Sequence, residues 1–198
     1  MERLEELLRI ESKYFDIYPS TDVSVILRAL DINPANTKAV IIGQDPYPNG
    51  NANGLAFSSD EMTPSLEKLE ETFRRELDST FNLDSLLRPF QDKVMLLNSA
   101  LTVRFKKPGS HKDFWKPFII ELIKVVNWYN KDIPFYILGS QAQKLFEKSV
   151  KVHRLNDVHA YVSEHPAFAA RKNKEYVLNG ITELIEIVYG KDYSRKQS

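Results

Sequence analysis

The chain has 198 residues, 42% apolar and 27% charged, and its 27 basic and 27 acidic residues give a formal net charge of zero. This length and composition fit one globular domain with a sizeable core, and the charge balance indicates no overall attraction to a polyanion. The sequence has no cysteine, which excludes disulfides, thiolate metal sites and thiol nucleophiles. The four histidines show no zinc-binding spacing, so no metal site is expected.

The N-terminal segment MERLEELLRIESKYF alternates charged and apolar residues, as an amphipathic helix does, and it has no apolar signal-peptide core. No window approaches 18 apolar residues, so no membrane span is predicted. We therefore expect one domain over residues 1–198, with a polar tail at 191–198, in a reducing, cytoplasmic compartment.

Four short apolar runs predict buried strands; they are Ala39–Ile42, Val94–Leu97, Phe135–Leu138 and Ala160–Ser163. Helical patterns lie between these runs. Thr63 is predicted to cap one helix, with Pro64 at its first position. This alternation of strand and helix predicts an α/β fold, a three-layer α/β/α sandwich around a central four-stranded parallel sheet.

The boundaries of the later helices are less strongly marked. Asp113 or Ser110 is expected to cap the helix over FWKPFIIELIKVVNWYN, with Pro117 in its first turn. Ser140 is expected to cap the helix over QAQKLFEK, and a last helix is expected over Lys174–Tyr189.

A polar group follows each predicted strand. In chain order these groups are Asp45, Asn98, the Gly139–Ser140 helix start and His165. The carboxyl ends of parallel strands share one edge of the sheet, where ligands bind. We therefore expect a carboxylate, an amide, backbone N–H groups and an imidazole to converge there.

Each group allows a structural and a functional interpretation. Asp45 either satisfies backbone N–H groups of a turn or orients water and stabilises a cation. Asn98 either closes a turn or reads the edge of an amide. His165 is either a structural histidine or a donor to an oxygen that gains negative charge. Tyr47 and Phe57 either anchor the loop or stack on and block a ligand.

Six motifs resemble those of family 1 uracil-DNA glycosylases, and in chain order they are GQDPYP…GLAFS, TPSL, LLNSALTV, SHKDFWKPF, LGSQAQK and HPAF. The resemblance runs from about Ala39 to Arg171. It implies hydrolysis of the N-glycosidic bond of uracil in flipped-out DNA, which releases uracil and leaves an abasic site without a metal or cofactor. The implied partners are uracil-containing DNA, single- or double-stranded, and a uracil-DNA glycosylase inhibitor protein; a monomer is expected.

The resemblance implies a role for each site residue. Asp45 would align water and stabilise the cationic sugar, and His165 would donate, as a neutral imidazole, to uracil O2. Gln44 would contact the base through its backbone, Phe57 would stack on it, and Asn98 would pair with N3–H and O4.

Tyr47 would occupy the space that the 5-methyl group of thymine needs. The residues implied to hold the DNA backbone or its stacked bases are Pro64, Ser65, Gly139, Ser140, Ala167, Phe168, Ala169 and Arg171. Two basic clusters, residues 104–107 and 171–174, are interleaved with aromatic residues, which suits contacts to a single strand.

The chain departs from the usual family motifs in two places. Pro48 replaces a histidine, and HPAFA replaces HPSP-leucine, so that Ala167 replaces a phosphate-binding serine and Ala169 replaces the leucine wedge. Phe168 either takes over as the wedge or folds back into the protein. Without a wedge, single-stranded DNA is the expected preference, because it needs no unpairing. The alternative function is a weak or inactive DNA-binding or replication accessory protein on the same fold.

Overall fold

The computed structural model describes residues 2–77, 90 and 92–190, so the predicted polar tail at 191–198 lies outside the described residues. The strands are β1 (Ile17–Tyr18), β2 (Ala39–Gly43), β3 (Val94–Asn98), β4 (Val103–Arg104), β5 (Phe135–Leu138) and β6 (Ala160–Ser163). The helices are α1 (Glu2–Glu11), α2 (Val23–Ile26), α3 (Pro64–Glu76), α4 (Lys112–Tyr129), α5 (Ser140–His153), α6 (Pro166–Arg171) and α7 (Ile181–Tyr189), with a 3₁₀ turn at Arg28–Leu30.

The central sheet is parallel throughout, with strand order β3-β2-β5-β6, and β1 pairs separately with β4 in an antiparallel ribbon. Every residue of β2, β3 and β5 is buried, as in parallel strands that are covered on both faces. Helices α4 and α5 pack on each other, and α3 packs on α6 and α7. The predicted three-layer α/β/α fold is therefore confirmed.

Helix α3 begins as predicted. The Thr63 side chain accepts a hydrogen bond from the backbone N–H of Leu66 at 3.3 Å, and Pro64 occupies the first helical position. Because proline lacks an N–H that a first turn would leave unpaired, it fits this position without loss. The start of α3 is thus fixed by local sequence.

The predicted cap of α4 is wrong, because His111 rather than Asp113 or Ser110 precedes the helix. The His111 imidazole contacts Thr102 Oγ1 at 2.8 Å through Nδ1 and Glu11 at 3.2 Å through Nε2. Contacts between distant segments therefore set this helix start.

The position of Pro117 also differs from the prediction, because it lies inside α4 beyond the first turn. Helix α5 begins at Ser140 itself, with Gly139 as its N-cap. The last helix begins at Ile181 instead of Lys174. The segment before it crosses the edge of the sheet, where the Asn179 side chain donates to the carbonyl of Val162 at 2.6 Å. No helix in the described ranges is long and apolar enough to cross a membrane.

Candidate active site

One cavity of about 930 Å³ opens at the carboxyl ends of the strands. Its wall contains every site residue predicted from the sequence except Ala169: Gln44, Asp45, Tyr47, Phe57, Pro64, Ser65, Asn98, Gly139, Ser140, His165, Ala167, Phe168 and Arg171. The register of the sheet explains this convergence, because Gly43 pairs with Asn98 and Leu138 pairs with Ser163 at the same edge.

Ala169 does not belong to this surface, and its predicted contact with DNA is contradicted by its exposed fraction of 0%. The residues after His165 form the short helix α6, which packs on α3. The helical turn directs Ala169 into the core and leaves Phe168, 37% exposed, at the lip of the cavity. No apolar wedge can therefore come from position 169.

Asp45 is held by hydrogen bonds to both carboxylate oxygens. The Gln44 side chain donates to Oδ1 at 3.0 Å, and the backbone N–H of Gly109 donates to Oδ2. Burial raises the pKa of the Asp45 carboxyl above its ordinary value, although these two donors oppose the rise. The two donors thus fix the orientation of the carboxylate and partly offset the cost of burying its negative charge.

Gln44 links this loop to the neighbouring strand end. Its carbonyl oxygen accepts hydrogen bonds from the Ser99 hydroxyl and from the Ala100 N–H at 3.0 Å. Any backbone contact of Gln44 to a base in the cavity would therefore use its N–H group.

Asn98, at the end of β3, is 4% exposed and lines the cavity. Within the described residues its side-chain amide has no hydrogen-bond partner. A Cβ on Gly43 would lie 2.9 Å from Asn98 Oδ1 and 3.1 Å from the Phe57 ring. Glycine at position 43 thus lets the amide and the ring approach the strand end, and an amide that faces the cavity without a protein partner favours a ligand with complementary groups.

Phe57 adopts a left-handed backbone conformation, with φ of 51°, and is buried. Such a conformation is unfavourable for an aromatic residue and is found where the surroundings require it. Its ring centroid lies 5.6 Å from that of His165. The strained loop therefore places an aromatic face beside the imidazole.

Tyr47 also lines the cavity. Its hydroxyl accepts a hydrogen bond from Thr63 at 3.1 Å and lies 3.3 Å from the Ser65 hydroxyl. Burial raises the pKa of Tyr47, so the hydroxyl stays protonated at neutral pH. Ser65 was predicted to contact DNA; in the structure its hydroxyl lies against Tyr47 while the residue remains in the cavity wall.

His165 is neutral and has a defined tautomer. Its Nδ1 accepts a hydrogen bond from the backbone N–H of Ala167 at 3.2 Å, so the ring proton is on Nε2. Burial, and then the nearby Arg171 guanidinium, lower the pKa of His165 to about 4. The imidazole therefore offers one N–H donor, on Nε2.

Gly139 leaves the space that the His165 side chain occupies. Its φ is 99°, and an added Cβ would lie 2.9 Å from the Cβ of His165. A larger residue at position 139 would both strain the backbone and displace the imidazole from the cavity wall.

The neutral state of His165 predicts a pH-dependent stability. The folded protein has a His165 pKa of about 4, against 6.5 ordinarily, so below pH 6.5 the unfolded chain binds the proton first. We expect the free energy of unfolding to fall between pH 6.5 and 4, by at most about 3 kcal/mol from this residue. Denaturant unfolding of the wild type and of His165→Asn, which keeps a capping oxygen, should show a shallower decline in the variant. Equal slopes would contradict the burial of a neutral imidazole.

The two predicted basic clusters are only partly directed to the cavity. Arg104 pairs with Glu11 and lies 3.9 Å above the ring of Phe15, and Lys174 pairs with Glu164. Within the described residues, Arg171 is the member of these clusters that lines the cavity. The cavity wall itself therefore carries only a small part of the basic charge of these two clusters, as far as the described residues show.

Three contributing residues were missed from the sequence. Gly109 donates a hydrogen bond to Asp45, Thr63 donates one to Tyr47, and Met62 lines the cavity. Nothing local in the sequence connects Gly109 to Asp45. Thr63 was recognised only as a helix cap.

The arrangement suits cleavage of a bond whose two sides separate with opposite charges. A carboxylate can stabilise the cationic side and a neutral N–H donor the anionic side, while the amide in the same cavity can recognise a planar ring with donors and acceptors. Within the residues that the structure describes, no three His, Asp or Glu side chains are grouped to hold a metal ion.

Comparison with known proteins identifies relatives along most of the chain. A curated uracil-DNA glycosylase from Amoebophilus asiaticus (strain 5a2) is 36% identical over 150 residues, which are 72% of this chain and 67% of that protein. The crystal structure of mimivirus uracil-DNA glycosylase matches with a TM-score of 0.69 at 24% identity, over 84% of this chain and 63% of that chain. The crystal structure of mimivirus UNG Y322L in complex with UGI matches with a TM-score of 0.70 at 24% identity, over 84% of this chain and 64% of that chain.

The UNG from Nitratifractor salsuginis matches with a TM-score of 0.58 at 20% identity, over 81% of this chain and 77% of that chain. These structural matches establish the fold, and the chain spans less than two thirds of the mimivirus chains. The model of the uracil DNA glycosylase superfamily matches residues 30–185, most of the sequence. The chain therefore belongs to the uracil-DNA glycosylase superfamily.

Proposed function

We propose that the chain is a DNA repair enzyme that hydrolyses the N-glycosidic bond of uracil in DNA, releasing free uracil and leaving an abasic site. The observation that carries this proposal is that Asp45, Asn98 and His165 line a single cavity. Together they supply the two charge-stabilising groups and the recognition group that this reaction requires.

Cleavage of the glycosidic bond leaves the electron pair on the base, so the sugar becomes cationic and uracil becomes anionic. In the proposed mechanism the Asp45 carboxylate stabilises the cationic sugar and orients the water that attacks it. The donors from Gln44 and Gly109 hold the carboxylate in position. Its orientation is thus set before the substrate binds, which limits reorganisation during the reaction.

His165 stabilises the other product of the cleavage. Its Nε2–H donates to uracil O2, where negative charge collects as the bond breaks. Because Nδ1 is engaged by the Ala167 N–H, the imidazole cannot rotate freely or exchange its tautomer without losing that hydrogen bond. The group acts as a fixed neutral donor and needs no protonation.

Recognition of the base uses the remaining residues. The Asn98 amide pairs with N3–H and O4 of uracil, and Phe57 packs on its face. Cytosine presents a donor where uracil presents O4, so it leaves buried groups unpaired and is rejected. Tyr47 excludes the 5-methyl group of thymine by overlap.

We further propose that the enzyme prefers single-stranded DNA. The residue at the usual wedge position, Ala169, is buried, and Phe168 lies at the lip with the Lys174 ammonium 5.0 Å from its ring centroid. Without a wedge, extraction of uracil from a duplex lacks a contribution of a few kcal/mol. Single-stranded uracil needs no unpairing and avoids this penalty.

The test is release of free uracil from oligonucleotides of one sequence, single-stranded or paired, under single-turnover conditions. We expect release from both and at least about tenfold faster release from the single strand, because unpairing costs a few kcal/mol. DNA binding without any uracil release would instead support the alternative, a glycosylase-fold accessory protein.

Phe168→Ala tests whether Phe168 inserts into the duplex. We expect this change to lower single- and double-strand rates by the same small factor, because the ring stacks at the lip and does not replace a base. A loss confined to the duplex would identify Phe168 as the wedge. The exposed Phe114 of α4, outside the cavity, gives the matched control Phe114→Ala.

An inhibitor protein is a further proposed partner. A mimivirus UNG of the same fold has been solved in complex with UGI. We propose that such a protein can cover the cavity mouth of this chain and compete with DNA. Addition of UGI to the uracil-release assay should then inhibit it, and unchanged rates at saturating UGI would reject this partner.

A further inference from the structure

Three hydroxyl groups on one side of the cavity form what we term the hydroxyl triangle: Tyr47, Thr63 and Ser65. The distances are 3.1 Å from Thr63 Oγ1 to the Tyr47 hydroxyl, 3.3 Å from that hydroxyl to Ser65 Oγ and 3.4 Å between Thr63 and Ser65. We propose that the hydroxyl triangle determines the discrimination against 5-methylated pyrimidines, with Thr63 as the positioning residue. This inference rests on the proposed function and assigns a new role within it.

A tyrosine ring is not by itself a sufficient barrier. A methyl group in a deformable apolar pocket changes the rate by only about 10- to 200-fold, because side chains can rotate aside to make room. Exclusion by overlap requires a ring that does not move. Fixing the far end of the ring through its hydroxyl removes that rotation.

The triangle is anchored to the core. Thr63 Oγ1, while donating to Tyr47, also accepts from the backbone N–H of Leu66 at 3.3 Å. Leu66 and Phe73 of α3 are both fully buried, so the helix that holds the triangle cannot shift easily. Thr63 and Ser65 are themselves buried, which makes a lost hydrogen bond there more disruptive than at the surface.

The directions of these hydrogen bonds determine which substitutions remove the contact between Thr63 and Tyr47. Thr63 accepts from the helix backbone and donates to Tyr47, so the Tyr47 hydrogen is free to point to Ser65. Valine at position 63 keeps the shape of threonine but removes both interactions. Phenylalanine at position 47 keeps the ring and leaves the helix cap intact. The two substitutions therefore interrupt the same contact from opposite sides.

The experiment compares the wild type with Thr63→Val, Tyr47→Phe, the double variant and the conservative Thr63→Ser. Uracil and thymine are placed at the same position of a single-stranded oligonucleotide, and free uracil and free thymine are also compared as inhibitors of uracil release. We expect each single change to raise the thymine-to-uracil ratio about three- to tenfold, the factor of one net hydrogen bond. The double variant should show no more than either single change, and Thr63→Ser should keep the wild-type ratio.

Other results overturn the inference. One is an unchanged thymine-to-uracil ratio in both single variants. Another is a double variant in which the effects of Thr63→Val and Tyr47→Phe on that ratio add. A third is no detectable thymine binding or excision by either variant. Equal losses for both bases in Thr63→Val alone would show that Thr63 acts only as a helix cap. A wild type that releases no uracil refutes the proposed function itself, whereas wild-type uracil release with an unchanged ratio refutes only the triangle.

Discussion

Asp45→Asn is expected to lower the rate of uracil release about 10³-fold, within the range of positioned acid–base groups. Asparagine has nearly the same shape and keeps one oxygen for the Gly109 or Gln44 donors, so the loop should retain its conformation. The substitution removes the negative charge that the proposed mechanism places beneath the cationic sugar, and it removes the acceptor proposed to align water. The loss should lie in the chemical step, with the affinity for uracil-containing DNA preserved or increased, since a buried carboxylate repels phosphates.

The measurement is single-turnover release of uracil from a single-stranded oligonucleotide, with affinity measured separately by fluorescence anisotropy. Asp60→Asn is the matched control, because Asp60 is exposed on the following loop and lies outside the cavity wall. Its rate should equal that of the wild type. If Asp45→Asn retained more than about a tenth of the wild-type rate, Asp45 could not supply the main electrostatic stabilisation.

The convergence of the site could be predicted because it depends on a global rule. Asp45, Asn98 and His165 are far apart in sequence, but each follows a strand of one parallel sheet, and the carboxyl ends of such strands share an edge. The β-strands themselves were recognisable because buried parallel strands are continuous apolar runs. Thr63 and Pro64 were predictable for a different reason, since a side-chain cap and a first-turn proline are local features.

The details that were missed depend on contacts between distant segments. Gly109 binds Asp45 from 64 positions further along the chain, and nothing in either segment specifies that pairing. His111 takes the start of α4 because Thr102 and Glu11 hold its ring, which overrides the better intrinsic capping residues nearby. Ala169 was misplaced because it was assigned from its position in the motif alone, whereas residues 166–171 form a helix that turns it into the core.

Helix α6 links the burial of Ala169 to the tautomer of His165. His165 caps α6 through Nδ1, and the same hydrogen bond leaves the ring proton on Nε2, which is the donor to the base in the proposed mechanism. One hydrogen bond therefore both caps helix α6 and sets the tautomer of His165. The helix buries Ala169 and removes a wedge, and at the same time it defines the donor. In this chain, helix α6 therefore both fixes the imidazole of His165 and keeps residue 169 from inserting into DNA.

His165→Ala is expected to lower kcat about 10²- to 10³-fold with little change in KM, as removal of a transition-state donor does. The pH profile separates this role from a structural one. Because the His165 pKa is lowered to about 4, the imidazole stays neutral from pH 8 to about 5, and the ratio of wild-type to variant rates should be constant over that range. His159→Ala, at an exposed histidine outside the cavity, is the control and should match the wild type. A wild-type transition near pH 6.5 that is absent from His165→Ala would show that the protonated imidazole is the active form, and the neutral-donor mechanism would then be wrong.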